Sequence, residues 1–87
     1  MAYRLKVVFK DRTTDMIPIT FKTQKDARAY AYKHMRSYVA FFELKVKSGK
    51  EVQRISMDNG MVCISYLDNY GNYHYDKVNK DGTIRKG

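Results

Sequence analysis

Three side chains offer the chemistry that small catalytic and metal sites use most: His34, His74 and Cys63, the only histidines and the only cysteine in the chain. A transition-metal site needs several such ligands at short, set spacings, for example two cysteines three apart or two histidines four apart, and no pair here has that spacing. No metal and no cofactor is expected. His34 falls in the apolar stripe of a predicted helix and reads as a packed or partly exposed core residue. His74 lies between Tyr73 and Tyr75 on a predicted strand and shares a face with Asp76. Such a pair could act as a base, but short strands carry His–carboxylate pairs by chance, and no catalytic residue is assigned. Cys63 sits in the apolar run Met61-Val62-Cys63-Ile64 with no basic neighbour to activate it, and reads as a packing residue. The five glycines are scattered at turn positions, so there is no phosphate-binding loop.

What remains is charge. Seventeen Lys and Arg face nine Asp and Glu, a net charge of +8. Residues 1–57 carry 13 basic and 5 acidic side chains, whereas residues 58–87 carry four of each, so the whole excess belongs to the first two thirds. A field of this sign favours encounter with nucleic acid or with acidic protein surfaces, and it argues against a mimic of DNA, which would need the opposite sign. The 87-residue length allows one domain, and a hydrophobic fraction of 44% with 12 aromatic residues suits a packed core. A lone cysteine, the absence of a charged-then-apolar leader and the absence of a long apolar run lead us to expect a cytoplasmic protein without a membrane partner.

Placing the charged residues requires the elements. Residues 3–10 alternate, with Tyr3, Leu5, Val7 and Phe9 on one face and Arg4, Lys6, Val8 and Lys10 on the other, the pattern of a half-buried strand with a basic outer face. Ile17, Ile19 and Phe21 repeat the alternation around Pro18, which predicts an edge strand closing a hairpin. Thr23 with Asp26 three residues on marks a helix start, and the helix is predicted over 24 to about 37. Its stripe of Ala27, Tyr30, Ala31, His34, Met35 and Tyr38 should be buried, leaving Lys25, Arg28, Tyr32 and Arg36 on the solvent side. Residues 39–47 alternate again, with Val39, Phe41, Glu43, Lys45 and Lys47 away from the core face. Weaker or shorter strands follow at 51–57, 61–67 and 73–78, with Asn59-Gly60 as a tight turn. The expected fold class is α+β, a single helix packed on an antiparallel β-sheet in the order ββα-βββ(β). The expected domain is 1–78, with a turn and loose tail over 79–87.

Two basic surfaces follow. One joins Arg4, Lys6 and Lys10 to Lys45 and Lys47 around an exposed Phe41, provided that their strands are neighbours; cations around an aromatic on an open sheet suit single-stranded nucleic acid. The other is the helical face Lys25, Arg28, Tyr32 and Arg36, which could lie along a phosphate backbone. The bland alternative for both is a solvated face, with lysines guarding a strand against aggregation. In the neutral half Tyr66, Tyr70, Tyr73 and Tyr75 crowd within ten residues, and Tyr70, in a turn, is the candidate protein contact. The richness in Lys, Asn and Tyr in a single small domain resembles the small accessory proteins of bacteriophages and other mobile elements, and that resemblance implies an inhibitor or adaptor of a host protein, such as a nucleic-acid-processing enzyme. The first expectation is therefore a non-enzymatic module binding DNA, RNA or a nucleoprotein complex. An accessory protein that binds a host protein is the second, and a small metal-independent ribonuclease the third.

Overall fold

The structure, a computed structural model, describes residues 2–85. Strand β1 (Tyr3–Phe9) is followed by β2 (Thr14–Met16), helix α1 (Gln24–His34), and strands β3 (Val39–Val46), β4 (Glu51–Asp58), β5 (Met61–Leu67), β6 (Tyr73–Val78) and β7 (Ile84–Arg85). All seven strands form one antiparallel sheet in the order β2-β1-β3-β4-β5-β6-β7. The class is α+β, with five strands after the helix rather than three or four.

Alternation in sequence becomes two-sidedness because side chains project from opposite faces with period two. One row across the sheet reads Val7, Phe42, Ile55, Ile64, and a second reads Leu5, Leu44, Gln53. These apolar side chains are at most 4% exposed and share one core with Ala27, Ala31 and Met35 of the helical segment. The Thr23 hydroxyl accepts the Asp26 N–H at 3.1 Å, so the helix begins where the sequence predicts. It stops earlier, at His34, because Met35 turns extended, and Tyr38 beyond it is 60% exposed instead of buried.

Four of the five hairpins close the same way. In each, a residue donates its N–H to the carbonyl four positions on and accepts from the N–H three positions on, as in Phe9 with Thr13 and Arg12, or Asn79 with Thr83 and Gly82. The third residue of each loop has positive φ: Arg12, Gly49, Gly71 and Gly82. This is the three-residue hairpin with a left-handed closing position. The first and last of the four share the sequence Lys-Asp-X-Thr, where Asp11 or Asp81 accepts from both the N–H and the hydroxyl of the Thr two residues on. The fifth hairpin turns at Asn59-Gly60, as expected, with φ of 51° and 76°.

Two further expectations change. The hairpin partner of β1 is Thr14–Met16, so 17–20 do not form a strand; instead Ile17 donates to the Leu5 carbonyl and Phe21 bridges Tyr3, which still covers the outer edge of β1. The segment expected as a loose tail holds the β6–β7 turn and β7, with Gly82 buried against the helix; residues 86 and 87 lie outside the described residues.

Candidate nucleic-acid interface

The helix covers one face of the sheet, and no described element lies over the other. Registers place there the row Met16, Lys6, Glu43, Arg54, Ser65, Tyr75, flanked by Arg4 and Lys45 on one side and by Ser56, Cys63, Lys77 and Arg85 on the other. Leu67 pairs with Tyr73 at the same face. At about 4.8 Å between strands, the distance from Lys6 on β1 to Tyr75 on β6 is about 19 Å, enough for a few nucleotides laid across the strands.

The β1–β3 adjacency that the first basic patch requires is present, with Arg4 opposite Lys45 and Lys6 opposite Glu43. Glu43 stands at its centre and contacts three cations: Lys6 at 3.9 Å, Lys45 at 3.7 Å and Arg54 at 3.6 Å. Arg54 also forks onto Glu51, with its closest approach at 3.2 Å, and its guanidinium lies 4.1 Å from the centre of the Phe41 ring. Phe41 is therefore half-buried beneath an arginine rather than exposed among lysines. Arg4 donates to the Ile17 carbonyl at 3.4 Å, while its Nε is buried without a partner. Lys10 and Lys47 are exposed in turns at opposite ends of this region.

The helical patch does not exist as expected. Arg28 is only 8% exposed: its Nε donates to the Gly82 carbonyl at 2.7 Å and its Nη1 to Gln53 Oε1 at 3.3 Å. Burial pulls its pKa below the ordinary guanidinium value, with Tyr66 nearby acting in the other direction. Tyr32 is half-buried against the core, and Arg36 donates to the Lys33 and Met35 carbonyls at the helix end. Lys25 alone of the four stays both exposed and uncommitted to a side-chain hydrogen bond or ion pair among the described residues. The helical wheel assigned Arg28 to solvent because it cannot see Gly82, 54 residues away, folding over that side.

On the neutral half, Tyr70 is 90% exposed, Leu67 67%, Tyr73 66% and Tyr75 47%. The Tyr75 hydroxyl donates to Asp58 at 2.6 Å, which pushes the phenol pKa up. His74 faces the helix side, stacked on Tyr66 with centroids 4.8 Å apart. Its carboxylate partner is Asp68, at 2.8 Å, rather than Asp76. Asp68 accepts from the N–H groups of Tyr70 and Asn72 as well, so this pair ties the β5–β6 hairpin together. His34 lies against Tyr30, 4.1 Å between ring centres. Cys63 is buried although its face is the uncovered one. Among the described residues there is no cluster of three metal-ligating side chains, and no helix is long and apolar enough to cross a membrane.

The candidate interface residues that sequence reasoning missed are Arg54, Tyr73, Tyr75, Lys77 and Arg85. Their types were legible, but their shared face with Lys6 and Phe41 depends on strand order, which alternation does not encode. Comparison of the chain with protein-family models, with curated proteins and with solved structures finds no match.

Proposed function

We propose that the uncovered sheet face binds single-stranded nucleic acid, without catalysis. The observation that carries this reading is the mixture on one open surface of cations (Arg4, Lys6, Lys45, Arg54, Lys77, Arg85) with aromatic rings (Phe41, Tyr73, Tyr75). Bases stack on exposed rings while Lys and Arg follow the phosphates, and stacking tolerates any sequence. A seven-stranded sheet is broader than the two-stranded ribbon that a major groove admits, and the burial of Arg28 counts against the helical alternative.

The test is titration with single-stranded DNA, single-stranded RNA and duplexes at two salt concentrations. Single strands should bind more tightly than duplexes, with affinity falling steeply with salt. Tyr73→Ala should weaken binding by about 1–3 kcal/mol if a base stacks there, whereas Lys25→Ala should leave it unchanged. Absence of binding to every nucleic acid at low salt would contradict the reading. RNA should remain intact throughout; cleavage that disappears in His74→Ala would favour the ribonuclease alternative.

A second reading, attachment to a host protein, is favoured by Leu67, Tyr70 and Tyr73 at the end of the β5–β6 hairpin, because exposed Tyr and Leu side chains are good interface anchors. A partner retained from nuclease-treated lysate and lost in Tyr70→Ala would support it.

A further inference from the structure

Within the single sheet, the pairing around β4 is incomplete. Strand β4 carries a bulge: Leu44 faces Gln53, but the next residue of β3, Lys45, faces Glu51, so Val52 is the extra residue. A bulge bends its strand and ends local pairing. On the other side of β4 the ladder with β5 stops at Arg54 opposite Ser65, so 51–53 and 66–67 face each other without pairing. The opening is a cleft of about 970 Å³, lined among others by Gln24, Lys50, Gln53, Arg54, Tyr66 and Asn69.

Its wall holds one oriented polar group. Gln53 is 7% exposed, and its Oε1 accepts from Arg28. Because a guanidinium only donates, the amide oxygen must face Arg28 and the –NH2 must point away from it. Among the described residues that –NH2 makes no hydrogen bond with another side chain or the backbone. Tyr66, held against His74, contributes a ring to the same wall.

We infer that this cleft is a base-reading subsite: it takes one nucleobase from a strand on the open face, inserted through the unpaired gap between β4 and β5 to reach Gln53 and Tyr66 on the helix side, and favours a base that offers a carbonyl oxygen. The inference rests on the nucleic-acid reading above. Glutamine reads adenine by using both ends of its amide, oxygen to the amino group and –NH2 to a ring nitrogen. With the oxygen held by Arg28, only the donor remains: adenine loses the bond from its amino group and keeps at most one, through a ring nitrogen, whereas thymine, uracil, guanine and cytosine each offer a carbonyl oxygen. Lys50, exposed at the cleft, lies where it can take an adjoining phosphate, while Arg54 beside it is held by Glu51 and Glu43. Arg28 is then a positioning residue that sets the amide rather than a contact to nucleic acid.

The experiment compares short oligothymidylate with oligoadenylate on the wild-type chain and on Gln53→Glu. Glutamate can still accept from Arg28, so the fold is retained, but the donor becomes an acceptor. The wild type should prefer oligothymidylate by about fivefold or more, and Gln53→Glu should abolish or reverse the preference. In the wild type, the Gln53 side-chain amide resonance should shift on adding oligothymidylate, a readout that does not depend on the variant folding. Equal binding of both oligonucleotides, with Gln53→Glu unchanged and the amide resonance still, would overturn the subsite and leave the open-face reading intact. No binding of either would overturn both.

Discussion

Arg28 shows how far a side chain's role depends on partners distant in sequence. Its guanidinium is buried and bonded to one backbone carbonyl and one amide, with no carboxylate, so its worth lies in charge-assisted hydrogen bonds that join the helix to the β6–β7 turn and to β4. Truncating it leaves the Gly82 carbonyl without that partner; Arg28→Ala should cost about 2–4 kcal/mol in denaturant unfolding, while Lys25→Ala on the exposed side should change stability by less than about 0.5 kcal/mol. Arg28→Lys should not restore the loss, since one ammonium cannot reproduce the fork. A second residue-scale prediction concerns Asp68. The hydrogen bond from His74, and then the N–H groups of Asn72 and Tyr70, hold its carboxyl at about 2 instead of 3.8. A carboxyl lowered in the folded state contributes stability that is present above its ordinary value and lost as pH falls towards the lowered one. Amide protection at Tyr70 and Asn72 should therefore decline between about pH 4 and pH 2, and Asp68→Asn should remove that pH dependence. Neither Arg28 nor the Asp68–His74 pair was legible from local periodicity. The wheel puts Arg28 outside, and the same-face rule offers His74 the wrong carboxylate, because a hairpin tip can reach back where a strand neighbour cannot.

Strands and helix were largely readable as elements because burial on one face forces a period of two or 3.6 on the residue types. The helix start was readable from Thr23 and Asp26, β1 and β3 from their alternation, and β5 and β6 as apolar or tyrosine-rich runs between turn residues. What failed was short or non-local. Strand β7 has two residues, too few for a pattern, and β2 is wholly exposed, so its apolar content says nothing. The bulge at Val52 is a property of two strands together. Both outermost strands are short, which limits the edge available for aggregation. Gly82 is where the last hairpin meets the helix. It has φ of 90°, and a Cβ there would overlap the Lys25 carbonyl and come within 2.9 Å of the Ala29 nitrogen. Gly82→Ala should thus destabilise by about 2–4 kcal/mol and loosen β7 first, visible as lost amide protection at Ile84 and Arg85. Gly49→Ala, with open space around the same kind of position, should cost only the strain of a positive φ, about 1 kcal/mol.

At the scale of the whole molecule, strand order combines what the charge distribution separates. All of the excess charge lies in residues 1–57, yet β5, β6 and β7 from the neutral remainder bring Tyr73, Tyr75, Lys77 and Arg85 onto the face that holds Lys6, Lys45 and Arg54. The first half supplies the field, and the second supplies most of the exposed rings. Glu43 opposes that field at its centre, where it engages three cations that a phosphate would otherwise meet. Glu43→Gln should release them and tighten single-strand binding by about fivefold at low salt, with the gain shrinking as salt rises. Each additional phosphate neutralised should steepen the salt slope by about 0.7. The central claim is that this face, and not the helix, meets nucleic acid. The most direct measurement is a map of amide and side-chain resonances during titration with a short single strand. Shifts concentrated at Lys6, Phe41, Arg54, Tyr73 and Tyr75, with Lys25, Lys33 and Arg36 unmoved, are the predicted result; shifts confined to the helix, or no shifts at all at low salt, would contradict it.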